Sequence, residues 1–230
     1  LDGAAARGHL GARACNDAAL RRAFVMEDAL LVLGAGGHAK VVIDTARAQG
    51  WSVYAAVDDN PNLWGHPIEG VPVLGSLEAA AGWQGWAIIG IGNNRTRYAV
   101  SQRYALRWAT LIHPTAWVSP SAEIGEGTLV AAGGVVQPAA RIGRHAILNT
   151  ACSIDHDCVV GDWVHIAPGA RLAGGVQVDE GALVGIGAVV LPNIRIGAWS
   201  VVGAGAVVTR EVPPRTVVVG VPARPIREVA

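Results

Sequence analysis

From Val118 to Val208 an aliphatic residue returns at every sixth position without a miss: Val118, Ile124, Val130, Val136, Ile142, Leu148, Ile154, Val160, Ile166, Leu172, Val178, Val184, Val190, Ile196, Val202 and Val208. That period belongs neither to a helix nor to a simple alternating strand. A hexad repeat predicts a parallel β-helix, in which each hexad supplies one short flat strand and one corner and three hexads close a triangular coil of roughly 18 residues. Two residues before each aliphatic the side chain is usually small, as at Ala122, Thr128, Ala140, Cys152, Cys158, Ala170 and Ala206, so both positions point into a narrow interior. Three residues after it Gly recurs (Gly127, Gly133, Gly169, Gly175, Gly181, Gly187 and Gly205), marking corners whose backbone dihedrals suit Gly.

The residue just before each inward aliphatic points outward, and every third hexad stacks on one face. The first face then carries Leu129, Ile147, His165, Leu183 and Val201; the second Trp117, Val135, Ser153, Arg171, Val189 and Val207; the third Glu123, Arg141, Val159, Gln177 and Arg195. The first is an apolar stripe broken by one histidine, with small residues beside it. It predicts a cyclic homo-oligomer, most simply a homotrimer, packed through that face.

Ahead of the repeat the pattern changes. Ala29 to Leu33 reads as a buried strand that runs into Gly34, Ala35, Gly36, Gly37, His38 and Ala39 and then a helix from Lys40 to Gln49. Gly34, Gly36 and Ala39 fit the loose pattern in which small residues let a phosphate approach backbone amides at a helix N-terminus. A second strand, Ser52 to Val57, ends at Asp58 and Asp59, carboxylates suited to a ribose or base. A third, Ala87 to Ile91, leads through Gly92, Asn93 and Asn94 into a helix from Arg95 to Tyr104. Three such units are smaller than the two-half fold that holds a whole dinucleotide, so a nucleotide-sugar is the better-sized ligand. Trp51, Trp64, Trp83 and Trp86 are expected to pack this small domain.

Composition narrows the picture further. The formal net charge is +0, which gives no sign of nucleic-acid binding. Mean hydropathy is +0.35, yet no apolar run reaches the roughly 18 residues a membrane span needs. Cys15, Cys152 and Cys158 form an odd set, the last two inward, which suits buried thiols in a reducing cytoplasm. Residues 1–25 lack the apolar stretch of a signal peptide and precede Met26, the only Met, so Met26 is the expected natural start and 1–25 a non-native or disordered extension. The remaining divisions expected are a first domain over 26–110, the β-helix over 111–212 and a tail over 213–230.

Two histidines carry candidate chemistry. His156 falls at a corner between Asp155 and Asp157, where a carboxylate can orient the imidazole and raise its basicity; a solvated turn histidine is the plain alternative. His165 lies half a coil later on the apolar face, where packing alone would also explain it. Within one chain the two rings belong to different sides of the prism, so a shared site needs a neighbouring chain and lies at the subunit interface. Cys158 points inward and is a poor nucleophile. Only His145, His156 and His165 occur in the hexads, too few well-placed histidines to argue for a zinc site.

The hexads, the turn GAGGHAKVV, the segment GIGNN, the stretch IDHDCVVGDWVHIAPGARLAGG and the closing VGVPAR (Val219 to Arg224) resemble the sugar O- and N-acetyltransferases of the PglD/NeuD type, over nearly everything after Met26. The resemblance implies an α/β Rossmann-like βαβ domain followed by a left-handed parallel β-helix, with acetyl-CoA as co-substrate. It makes His156 the general base and Asp157 the residue that raises its basicity. Acetyl-CoA contacts map to His165, Ile186 and Ala204, with the tail contributing. Nucleotide-sugar contacts map to Gly36, Gly37, His38, Asp58 and Asp59, with Gly92 and Asn93 as additions. The implied reaction is direct transfer of acetyl to the amino group of a nucleotide-linked amino-deoxysugar, of the UDP-4-amino-sugar or GDP-perosamine type, for surface glycan or glycoprotein synthesis. O-acetylation of a sialic acid is the nearest alternative; a non-catalytic β-helix scaffold or a nucleotide-sensing protein are alternatives of another class.

Overall fold

The computed structural model describes residues 29–229; the expectations for 1–25, Met26 and Cys15 lie outside the described residues. The chain first forms β1 (Ala29–Leu33), α1 (Gly37–Ala48), β2 (Ser52–Val57), β3 (Trp86–Ile89), α2 (Asn94–Arg103) and β4 (Arg107–Trp108), with a parallel sheet in the order β2-β1-β3-β4. β1 is buried along its whole length, as a central parallel strand covered on both faces must be, and this explains its unbroken apolar run. α1 lays Ala39, Val42, Ile43 and Ala46 on one side of the sheet. On the other, Trp83 is buried and stacks on Tyr54 with ring centroids 5.7 Å apart, while on the α1 side Trp51 and Trp86 meet edge to face at 5.9 Å. These three tryptophans pack the domain as expected, whereas Trp64 is 39% exposed and donates from Nε1 to the Asp58 carbonyl at 2.7 Å.

From Leu111 onward the chain winds into two-residue strands, each paired in parallel with the strand 18 residues on, as Ile147 with His165 and Leu183 with Val201. This is the left-handed β-helix. From Val130 onward, every inward aliphatic of the hexads is buried, and so are the free thiols Cys152 and Cys158. The Gly corners have left-handed backbone, but so do the equivalent positions Ala139, His145, Ala151, Asp157, Trp163, Asn193 and Trp199. A left-handed non-Gly residue costs roughly 1–2 kcal/mol, and burying the aliphatic of the same hexad returns roughly 1.5–3 kcal/mol. The interior therefore dictates the corner conformation. Thr216–Val219 extends the first face and turns back as the antiparallel strand Arg224–Glu228.

The first face departs from expectation. It is covered by the chain's own first domain, so it is not free for a second copy. Leu129 and Ile147 are each 2% exposed and share one core with Val32, Ile43 and Leu111. Helix α2 continues the seal: Asn94 Nδ2 donates to the Gly181 and Ala182 carbonyls at 3.0 Å, and Tyr98 meets Trp163 edge to face at 4.8 Å. An apolar stripe needs a cover, and intramolecular cover is available without the entropy of association. On the second face Trp117 and Val189 remain 58% and 36% exposed. Among the described residues no helix is long and apolar enough to cross a membrane.

Candidate functional site

The turn between β1 and α1 shapes the first half of the site. Gly34 has φ +105°, and a Cβ there would lie 2.6 Å from the Ile91 side chain, so only Gly lets the turn pass the β3 loop. Gly36 and Gly37 have open space above them, which leaves the start of α1 accessible to a ligand. Gly34, Gly36, Gly37, His38, Asp58, Asp59, Leu77, Gly90, Ile91, Gly92 and Thr96 line one cavity of about 330 Å³.

Within that cavity the acidic pair does structural work. Asp58 accepts from the Ala35 amide at 2.7 Å and the Asn60 amide at 2.8 Å, which fastens the Gly-rich turn to the end of β2. Asp59 accepts from the Leu77 amide through one oxygen at 2.9 Å. Its other oxygen is the better placed of the pair's acceptors for a ligand. Asn93 has a different job: its side chain caps α2 by accepting from the Thr96 amide at 3.0 Å.

His38 and His165 meet where the cavity borders the β-helix, with ring centroids 6.2 Å apart. Asn149 Oδ1 accepts from the Thr150 amide at 2.8 Å, so its Nδ2 is the donor facing His165 Nε2 at 3.1 Å. With Nε2 accepting, a neutral His165 carries its proton on Nδ1. Burial first, and then the Arg97 charge, push His165 down to about 3 and His38 down to about 4. His38 Nε2 is buried with no hydrogen-bond partner, a polar atom left for a ligand.

The second half of the site is a pair of corners. Ile186, 61% exposed, and the exposed Ala204 stand one coil apart where the first and second faces meet, linked by the Gly205 amide donating to the Ile186 carbonyl at 2.8 Å. They make an open ledge parallel to the prism axis. His156 stands where the second and third faces meet. Asp157, in left-handed backbone at φ +60°, hydrogen-bonds His156 Nδ1 at 2.8 Å, and Asp155 accepts from the His156 amide at 2.7 Å. The Asp157 hydrogen bond, followed by the Asp155 charge, raises the His156 pKa above the usual value. With Nδ1 engaged, Nε2 of the solvent-facing ring is free to take a proton.

The expected residues fall in separate places of one chain: Gly36, Gly37, His38, Asp58, Asp59 and Gly92 with the adjoining His165 at the first face, Ile186 and Ala204 on one corner, His156 and Asp157 on the next. His165 adjoins the cavity, away from the Ile186 and Ala204 ledge. Sequence reasoning missed Asn149, Arg97 and Gly174. Asn149 is one of the residues beside the apolar stripe and carries no chemical pattern of its own. Arg97 reads as one charge in a polar helix, and Gly174 carries no pattern of its own. Among the described residues no cluster of three or more His, Cys, Asp or Glu is placed to hold a metal ion.

The chain matches the PglD N-terminal domain family over residues 29–104 and the bacterial transferase hexapeptide (six repeats) family over 175–210. It is 32% identical over 210 residues to the GDP-perosamine N-acetyltransferase of Escherichia coli O157:H7, covering 85% of this chain and 95% of that protein. Among solved structures, PerB of Caulobacter crescentus in complex with CoA and GDP-perosamine is 40% identical with a TM-score of 0.82, covering 86% of this chain and 97% of that one. The acetyltransferase domain of PglB from Neisseria gonorrhoeae in complex with acetyl coenzyme A is 37% identical with a TM-score of 0.82, covering 87% and 100%. With both halves matched and the order of domains kept, the chain belongs to the acetyltransferases that join a PglD N-terminal domain to a hexapeptide-repeat β-helix.

Proposed function

We propose that the protein transfers acetyl from acetyl-CoA to the amino group of a nucleotide-linked amino-deoxysugar of the GDP-perosamine type, with His156 as general base. The observation that carries this reading is the His156 imidazole, held by Asp157 at Nδ1 and open at Nε2, in a chain whose relatives act on such a sugar. The amine lone pair attacks the thioester carbonyl carbon and a C–N bond forms. Nε2 takes a proton from the amine, a backbone amide stabilises the oxyanion, and collapse breaks the C–S bond. The proton then passes to the departing thiolate, so free CoA and the N-acetylated sugar leave. No protein nucleophile is needed.

The cavity under the Gly-rich turn fits the nucleotide diphosphate by its accessible helix start, and the Ile186 and Ala204 ledge fits the long CoA chain. A trimer completes the site. Since the first face is covered and the third is charged, the second face, with Trp117 and Val189, is the one that turns toward a three-fold axis. Its two edges are the ledge corner and the His156 corner, so this packing brings His156 of one copy to the ledge of the next.

The test is incubation with acetyl-CoA and a panel of GDP- and UDP-linked 4-amino sugars and free sialic acid, following thiol release and product mass. An acetylated GDP-amino sugar is expected. Acetylation of sialic acid alone, or release with none of the panel, overturns the reading.

A further inference from the structure

We infer that Arg97 is a positioning residue for the acceptor: it pins the Gly90–Asn93 loop, one wall of the nucleotide-sugar cavity, to the β-helix corner at His145 and Trp163. This rests on the reading that the cavity takes the nucleotide-sugar. Arg97 is 1% exposed. Nε donates to the His145 carbonyl at 2.8 Å and Nη2 to the Trp163 carbonyl at 2.7 Å, both on the coil. Nη1 donates to the Ile91 and Gly92 carbonyls at 3.1 Å, both on the loop, and Nη2 also reaches Asn94 Oδ1 at 3.0 Å. Nη2 lies 3.4 Å from a further coil carbonyl, that of Val164.

Among the described residues no carboxylate forms an ion pair with this cation. A buried, unpaired guanidinium is costly, and carbonyl dipoles alone offset it. Docking of the helix has other contacts. Asn94 to the Gly181 and Ala182 carbonyls, Tyr98 against Trp163, and Trp163 Nε1 donating to Ser101 Oγ at 2.9 Å already hold α2 to the coil. These contacts reach the helix, whereas Arg97 reaches the Ile91 and Gly92 carbonyls of the loop as well. Its planar fork spans loop and coil at once, which an ammonium on a single stem cannot reproduce. Gly92 also stands against His38, with an added Cβ there only 3.6 Å from the His38 Cβ, so the pin fixes the loop against a cavity-lining histidine.

The experiment compares full-length wild type with Arg97→Lys and Arg97→Gln, each checked by thermal melting, using steady-state kinetics, calorimetry with GDP and amide exchange over residues 90–93. In any variant that melts cooperatively, kcat/KM for the amino sugar and GDP affinity are expected to fall about 10- to 100-fold, as lost hydrogen bonds to a charged group should do. The KM for acetyl-CoA should stay within about twofold, and exchange at 90–93 should quicken. A folded Arg97→Lys protein with wild-type acceptor kcat/KM and GDP affinity overturns the inference, as does an equal loss for both substrates. If the wild type binds GDP but acetylates no amino sugar, the functional reading fails, while weaker GDP binding by Arg97→Lys still upholds the pin.

Discussion

The imidazole of His156 rests against Gly174 on the adjacent coil: a Cβ at position 174 would lie 2.7 Å from both Cε1 and Nε2 of the ring. The Gly175 amide donates to the His156 carbonyl at 2.9 Å, so backbone pairing fixes the two residues one above the other. The absence of a side chain at 174 is what lets the ring lie there. Gly174→Ala adds a methyl whose nearest neighbour is the movable end of a side chain, so the fold is expected to survive with its melting temperature nearly unchanged. Catalysis should not survive intact, because a base displaced by about 1 Å costs on the order of 100-fold. Turnover of the amino sugar by Gly174→Ala, beside its thermal melt, checks this.

The pH profile should report the Asp157 contact. His156 must be neutral to accept a proton, and its pKa is raised chiefly by the Asp157 hydrogen bond. The rate should therefore climb with pH through a midpoint above the ordinary histidine value. Asp157→Asn removes the main cause of the rise, so the midpoint should move to lower pH and the plateau should fall as the base weakens. Initial rates of both proteins from pH 5.5 to 9 measure the two midpoints.

Stability should show the opposite kind of histidine. His38 and His165 are pushed to about 4 and about 3, below their unfolded value of about 6.5. Between those values the unfolded chain binds more protons than the folded one, so stability rises with pH across that window. It is fully present above about 6.5 and is lost as pH falls toward the folded values. Melting temperatures at intervals from pH 7.5 to 4.5 should decline, and His165→Gln should decline less steeply.

The second face offers a test of assembly. Trp117 and Val189 lie exposed on it, and a carboxylate placed at the centre of a packed apolar interface is strongly unfavourable. Val189→Glu should sediment as a monomer, keep a cooperative melt, and lose acetyl transfer. A wild-type monomer in the same run would remove the shared-site reading.

The β-helix was legible because one residue class repeats at one period and every coil buries the same two positions. The elements of the first domain were legible too; α1 starts at Gly37 where Lys40 was expected, because the Gly-rich turn itself enters the helix. The cover of the first face was not. A stripe such as Leu129, Ile147 and Leu183 states that it wants a partner, and nothing in its pattern distinguishes a second copy from the chain's own domain. Asp58 was legible as an acidic residue at a strand end, while its use as a latch on Ala35 depends on a contact 23 residues apart. The left-handed backbone of Asp157 was hidden because Gly and non-Gly residues share those corners, although Asp tolerates that region better than most residues. Gly174 and Arg97 matter through what lies beside them, which spacing alone does not reveal.

The central claim is best tested by giving wild type and His156→Ala the same GDP-linked 4-amino sugar with acetyl-CoA, and following free thiol and product mass over time. The expected result is stoichiometric thiol and N-acetylated sugar from the wild type, with the variant slower by about 10²- to 10⁴-fold. A His156→Ala protein that turns over at the wild-type rate would contradict the assignment of the base, and a wild type that leaves the amine unacetylated would contradict the function itself.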